Sequence, residues 1–227
     1  MPKPTIDELL IADESERWAE LGFAISGGCC ELGEVRVRFL GGDASKRGIV
    51  GWSLRDVAST ELDGLPTSLS EPPVASDAHP VHPVHPAQAA HPVHPAHPNG
   101  VVAIDHVVVM SPSLDRSVKA LEDAGLQLRR IREQPTPAGA PRQAFFRLGA
   151  EILELVQEPY DLVARAGEQD HPARFWGLAV RVEDLDRTVE LLGPHASPIR
   201  PAVQAGRRIA TLRRSAGLAV PLALMSA

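Results

Sequence analysis

The sequence predicts an α+β fold assembled from a repeated β-α-β-β-β unit, and three observations lead there. The run Ile104-Asp105-His106-Val107-Val108-Val109, followed by Leu114-Asp115-Arg116-Ser117-Val118, returns 71 positions later as Phe175-Trp176-Gly177-Leu178-Ala179-Val180 and Leu185-Asp186-Arg187-Thr188-Val189. Each copy reads as a short apolar strand running into an amphipathic helix. After each helix come three strand-like runs separated by Gly and Pro. A strand–helix unit of this size cannot close a core alone, so the repeat implies paired units with a cavity between them.

In chain order, 101–110 is rich in β-branched residues and predicts a buried strand. Ser111 and Pro112 supply a helix start, with Ser as N-cap and Pro at the first helical position. Leu114, Val118 and Leu121 fall on one helical face, and Gly125 ends the helix. Strands follow at 128–132, around 145–148 and at 151–156, with the loop PTPAGAPRQ between the first two. The second unit places a strand at 177–182, a helix at 184–192, and strands near 199–203, 208–213 and 219–225.

The N-terminal segment, 1–58, reads as a third and degenerate copy. Ile6-Asp7-Glu8-Leu9-Leu10-Ile11 aligns with Ile104–Val109 at an offset of 98. Asp13 caps a short helix carrying Trp18 and Leu21, and strand-like runs follow at 23–31, 34–40 and 49–57. Between this copy and the paired unit of 101–227, the segment 59–100 is dense in Pro and His, lacks any period, and predicts a disordered linker of polyproline character. His79, His82, His85, His91, His94 and His97 recur every third residue within two runs. Polyproline geometry separates such neighbours by about 9 Å, so they bind metal only adventitiously.

Composition narrows the function. The net charge is −6 and the arginines are scattered, which argues against nucleic-acid binding. No apolar run reaches the length needed to span a membrane, the N-terminus lacks a signal-peptide core, and the two cysteines are adjacent, so a cytoplasmic location is expected. Nucleophile signatures and phosphate-cradling glycine loops are absent.

The paired units, with Ile104–Val109, Leu114-Asp115-Arg116, the run from Gly149 to Val156 and Leu185-Asp186-Arg187, resemble the vicinal oxygen chelate superfamily of glyoxalases, bleomycin-resistance proteins and extradiol dioxygenases. The resemblance implies tandem βαβββ modules forming facing curved mixed sheets with helices outside, around a cavity for a small organic metabolite. It also implies a divalent metal (Fe, Mn, Zn or Ni) held by a first-strand residue and a last-strand Glu. The first position falls on His106 and the last on Glu154, the latter also the candidate catalytic carboxylate. The second module carries Gly177 and Leu222 there, which cannot ligate through a side chain. Glu8, at the first-strand position of the N-terminal copy, is the candidate third ligand, a dimer mate being the other source. The alternative is that His106 is a hydrogen-bonded cavity histidine and Glu154 a carboxylate paired with Arg147 or Arg208. Phe145, Arg147, Trp176 and Arg208 are candidate substrate contacts, and alternation puts Gln143 on the face of Phe145 and Arg147.

The expected activity is therefore either metal-dependent lyase, isomerase or dioxygenase chemistry, or metal-free sequestration of a small molecule. A homodimer is expected because an odd third unit leaves a sheet without a mate.

Overall fold

The computed structural model describes residues 3–42, 47–70, 96–135, 139–159, 161, 163 and 170–227. The first half of the chain forms β1 (Thr5–Ala12), α1 (Ser15–Glu20), β2 (Cys29–Leu32), β3 (Val35–Phe39), β4 (Gly48–Arg55) and β5 (Thr67–Leu69). These strands make a five-stranded sheet in the order β2-β3-β1-β4-β5. The second half forms β6 (Val101–Ser111), α2 (Leu114–Asp123), β7 (Gln127–Arg132), β8 (Gln143–Leu148), β9 (Glu151–Gln157), β10 (Arg174–Val182), α3 (Leu185–Leu192), β11 (Arg200–Pro201), β12 (Arg208–Thr211) and β13 (Leu222–Ser226). Its two βαβββ modules join edge to edge through antiparallel β6 and β10, giving one eight-stranded mixed sheet, β11-β12-β13-β10-β6-β9-β8-β7.

The helix starts follow the chemistry of the caps. Asp184 caps α3 by accepting from the Arg187 amide at 3.1 Å. At α2 the N-cap is Ser113 rather than Ser111, and the Ser111 hydroxyl accepts from the Ser113 amide at 3.1 Å, so the expected cap residue braces the turn one step earlier. Leu114, Val118 and Leu121 of α2 and Leu185 and Leu192 of α3 are buried against one face of the sheet; the opposite face, on which neither of these helices packs, is called the helix-free face.

Register reveals a fourth copy of the unit. β1 pairs with β3 in parallel and with β4 antiparallel, as β6 pairs with β9 and β10, and β4 pairs with β5 in parallel as β10 pairs with β13. β4, expected as the last strand of the N-terminal module, therefore opens a second N-terminal unit, represented among the described residues by β4 and β5. Each first strand bears an extra residue at the corresponding place: Asp7 on β1, Val50 on β4, Asp105 on β6 and Trp176 on β10 are skipped where the paired register shifts. A bulge re-aims its side chain and breaks the strict alternation of faces. The odd unit behind the expectation of a homodimer is thus mated within the chain.

The apolar faces of the two sheets share one core, in which Trp52 of β4 meets Phe175 of β10 edge to face, 5.1 Å between centroids. Polar ties cross the same boundary. Asp13 Oδ2 accepts from Trp18 Nε1 at 3.1 Å and from the Ala219 amide at 2.8 Å, and Arg116 of α2 pairs with Asp63 at 2.7 Å.

The segment expected as linker, 59–100, is structured at both ends. Leu62 and Leu65 are buried and β5 follows them, while His97 and Asn99 are buried where the chain returns. His97 Nδ1 accepts from the Ala24 amide at 2.9 Å, and Nε2 faces the Glu31 carbonyl at 2.8 Å, which requires the neutral Nε2–H tautomer. The other five linker histidines lie outside the described residues. Among the described residues no helix is long and apolar enough to cross a membrane.

Candidate functional site

Paired residues on neighbouring strands share a face, so the helix-free face of the eight-stranded sheet can be read row by row. One row runs Gln127, Arg147, Ile152, His106, Ala179, Ala223. The next runs Arg130, Phe145, Glu154, Val108, Gly177, and the third Arg132, Gln143, Val156, Met110. Val108, Val156 and Ala140, with Met110 beside them, form a small apolar cluster on this face.

His106 stands at the centre of a polar chain. Its Nε2 lies 3.1 Å from Glu154 Oε2 and its Nδ1 lies 2.9 Å from Asp105 Oδ2. Asp105 precedes His106, and an unbroken strand would send it to the opposite face; the bulge at Asp105 brings the carboxylate beside the ring instead. Arg207 Nη2 closes on Asp105 Oδ1 at 2.9 Å and is itself anchored on the Ser226 carbonyl at 2.7 Å. On the other side Gln143 Nε2 donates to Glu154 Oε1, while Gln143 Oε1 is buried and without a partner.

These contacts set the charges. Burial lowers the His106 imidazole, but its hydrogen bonds to Asp105 and Glu154 outweigh burial and raise it to about 9. Burial raises Asp105, but His106 and Arg207 hold it down at about 2. The network is an alternation of Arg207, Asp105, His106 and Glu154 with two charges of each sign.

The expected site residues divide between this face and others. His106 and Glu154 meet, and Gln143 and Phe145 border them. Arg147 lies on the same face one row away and donates to the Ala150 carbonyl at 3.2 Å. Trp176 occupies on β10 the bulge position that Asp105 holds on β6, and is 48% exposed. Arg208 points to the helix-bearing face, where it forks onto Asp186 of α3 at 2.7 and 3.1 Å. Neither Arg147 nor Arg208 is the partner of Glu154; that partner is His106.

Glu8 is held by Arg38 at 2.8 Å on the polar face of the five-stranded sheet, with Arg36 and Ser53 beside it and the shared apolar core behind it. It therefore does not join His106 and Glu154. Among the described residues no group of three or more His, Cys, Asp and Glu side chains is placed to hold a metal ion. By register, Arg38 takes the place of Glu154 in the first unit, so the Glu8–Arg38 pair is the counterpart of His106–Glu154. In the second module of the large sheet the counterpart of Glu154 is Ala223, one residue past Leu222, which faces the helices.

Asp105, Arg207, Arg130 and Arg132 are the members of this face that residue spacing did not single out.

No protein-family model matches the sequence, and no curated protein does. Among solved structures, the chain is similar to a xylose isomerase-like TIM barrel/4-hydroxyphenylpyruvate dioxygenase fusion protein, at 14% identity and a TM-score of 0.60, over 98% of this chain and 48% of that one. The chain thus spans about half the length of that protein. It is also similar to methylmalonyl-CoA epimerase from Mycobacterium tuberculosis, at 22% identity and a TM-score of 0.45, over 56% of this chain and 89% of that one. The likeness to the first of these shows the fold, tandem βαβββ modules in mixed sheets. Among the described residues it takes the form of four units, of which the C-terminal pair is complete and the N-terminal pair is reduced to β1-α1-β2-β3 and β4-β5.

Proposed function

We propose that this protein binds a small organic molecule on the helix-free face of its eight-stranded sheet, with His106, Glu154 and Gln143 as the polar floor and Phe145 as the apolar wall. The observation that carries the proposal is the contact between His106 and Glu154, 3.1 Å apart on adjacent strands, with Asp105 fixing the far side of the imidazole. A carboxylate behind a histidine is the usual outer-shell support of a ligating imidazole, because it sets the tautomer and aims Nε2.

The donor set fits a divalent metal. His106 Nε2, on release of the proton it directs at Glu154, the Glu154 carboxylate and the orphaned Gln143 Oε1 would hold it, imidazole and oxygen donors in the number a catalytic centre uses. When bound, such an ion polarises a carbonyl or two neighbouring oxygens of the ligand. The chain's own residues perform the rest. Asp105 keeps the Nδ1 proton, Gln143 orients Glu154, Arg207 balances the charge of Asp105, and the apolar group of Val108, Met110, Val156 and Ala140 limits water beside the floor. Lyase or isomerase chemistry, or with a redox-active ion and dioxygen dioxygenase chemistry, is what such an ion would supply.

Metal-free sequestration is the second reading. What supports it is the bare second module, where Gly177 and Ala223 occupy the ligand positions.

The test uses full-length protein in which His79, His82, His85, His91 and His94 are replaced by Ala, so that they cannot bind metal themselves. Equilibrium dialysis and thermal melts with Mn, Ni or Zn are expected to give one bound ion and a stabilisation of about 2.7 kcal/mol at a hundredfold excess over Kd. Both are lost in His106→Ala and Glu154→Gln. Full metal content in His106→Ala overturns the ligand assignment, and no metal uptake by the parent leaves metal-free binding as the function.

A further inference from the structure

Among the described residues several arginines form no ion pair, and three of them stand together on one strip of this molecule. Arg36, Arg38, Arg116, Arg142, Arg174 and Arg208 each contact a carboxylate, as expected in a protein of net charge −6. Arg130, Arg132 and Arg147 do not: among the described residues none of them has an acidic partner. All three stand on the helix-free face: Arg147 in the row of His106, Arg130 in the row of Phe145 and Glu154, and Arg132 in the row of Gln143. Arg130 is also pre-positioned, its guanidinium 4.6 Å from the centroid of the Phe145 ring.

We propose that Arg130 and Arg132, with Arg147 flanking them, form an anion subsite that receives the negatively charged tail of the ligand whose head sits at His106 and Glu154. This assignment rests on the reading of that floor as the binding site and names the ligand class it takes. Arg130 and Arg132 are two residues apart on β7, so their backbones are about 7 Å apart, enough to grip one phosphate or carboxylate from both sides. Phe145 lies between Arg130 and Glu154 in the same row, and two strand spacings separate tail from head by about 10 Å. The ligand class is therefore an elongated small molecule with an oxygen-bearing head, a middle that lies over an aromatic ring, and an anionic end. The guanidinium shape suits phosphate and carboxylate alike.

β7 is the edge of the sheet, and charged residues on an edge also protect it from pairing with other chains. That competing role predicts aggregation of the variants without any change in anion binding.

Calorimetric titration of the full chain at low salt with phenyl phosphate, phenylacetate and neutral benzyl alcohol separates these outcomes. Binding of at least one of the two anions is expected, with none of the alcohol, and the stronger anion identifies the tail as phosphate or carboxylate. The double variant Arg130→Gln/Arg132→Gln is expected to weaken that binding about tenfold or more, the loss of a charge-assisted hydrogen bond. Arg208→Gln, on the opposite face, leaves it unchanged. Failure of both anions to bind wild-type protein, equal binding by the double variant, or aggregation of the double variant with anion binding intact each overturns the subsite. His106→Gln separates the two assignments: anion binding that survives it but not Arg130→Gln/Arg132→Gln supports the strip even where the metal test has failed for the floor.

Discussion

At the scale of single residues, burial decides the chemistry of the adjacent cysteines. Cys30 sits in the core of the five-stranded sheet, and burial first, then the Glu31 and Cys29 charges, push its thiol up to about 12. Cys29, its neighbour, faces the polar side and is half-buried. A thiolate is the reactive form, so Cys30 is inert while the protein is folded. Under native conditions at pH 8, iodoacetamide is expected to modify Cys29 and leave Cys30 unmodified until denaturant is added, read by mass spectrometry of the tryptic peptides. The same shift gives a pH dependence. The folded-state value lies above the unfolded value of 9.0, so an unfolded chain loses this proton first. The contribution of Cys30 to stability is whole below pH 9 and falls as pH rises from there toward 12. Alkaline unfolding of Cys30→Ala should begin at higher pH than that of wild type, relative to each protein's stability at neutral pH.

At the scale of elements, the bulges and the close strand contacts fix the geometry of the site. Gly177 faces Val108 in the row of Glu154, and a Cβ there would lie 2.6 Å from the Pro221 carbonyl oxygen. A backbone atom cannot swing aside, so Gly177→Ala is expected to force β13 away from β10 and cost about 1–3 kcal/mol, measured by urea unfolding. The absence of a ligand in the second module thus has a packing reason: no side chain fits at that position. Much of this level was legible in the sequence. The 71-residue repeat marked the two modules, alternation put Glu154 on one face with Ile152 and Val156, and the family resemblance paired it with His106. Spacing alone could not reveal the bulges, since an extra residue changes register without changing composition. For that reason Asp105 is not legible as the partner of His106. Ala223 rather than Leu222 matches Glu154 because the segment after Gly217 is one residue longer than the turn after Gly149, and Glu8 lies in the other sheet, with the core behind it. The arginine strip escaped notice for another reason: whether an arginine is paired depends on contacts between strands distant in the chain.

At the scale of the whole molecule, the reduced N-terminal pair of units serves the complete pair as a second sheet. Its ligand-position residues, Glu8 and Arg38, neutralise each other, and its contribution is burial. Trp52 is 1% exposed, donates through Nε1 to Thr67 Oγ1 at 2.8 Å, and meets Phe175 across the boundary between sheets. Phe175 immediately precedes the bulge at Trp176, so the packing of one half bears directly on the first strand of the other. Because the apolar faces belong to a single cluster, neither half has a core that is independent of the other. Calorimetry of the full chain is therefore expected to show one cooperative transition. Trp52→Ala should lower stability by about 3–5 kcal/mol while keeping that transition single. Two separated transitions in wild type, or a loss confined to the five-stranded sheet by hydrogen exchange, would contradict a shared core. The same experiment carries over to the site: if the halves are one cooperative unit, Trp52→Ala should also weaken ligand binding at His106 and Glu154, although it touches neither residue.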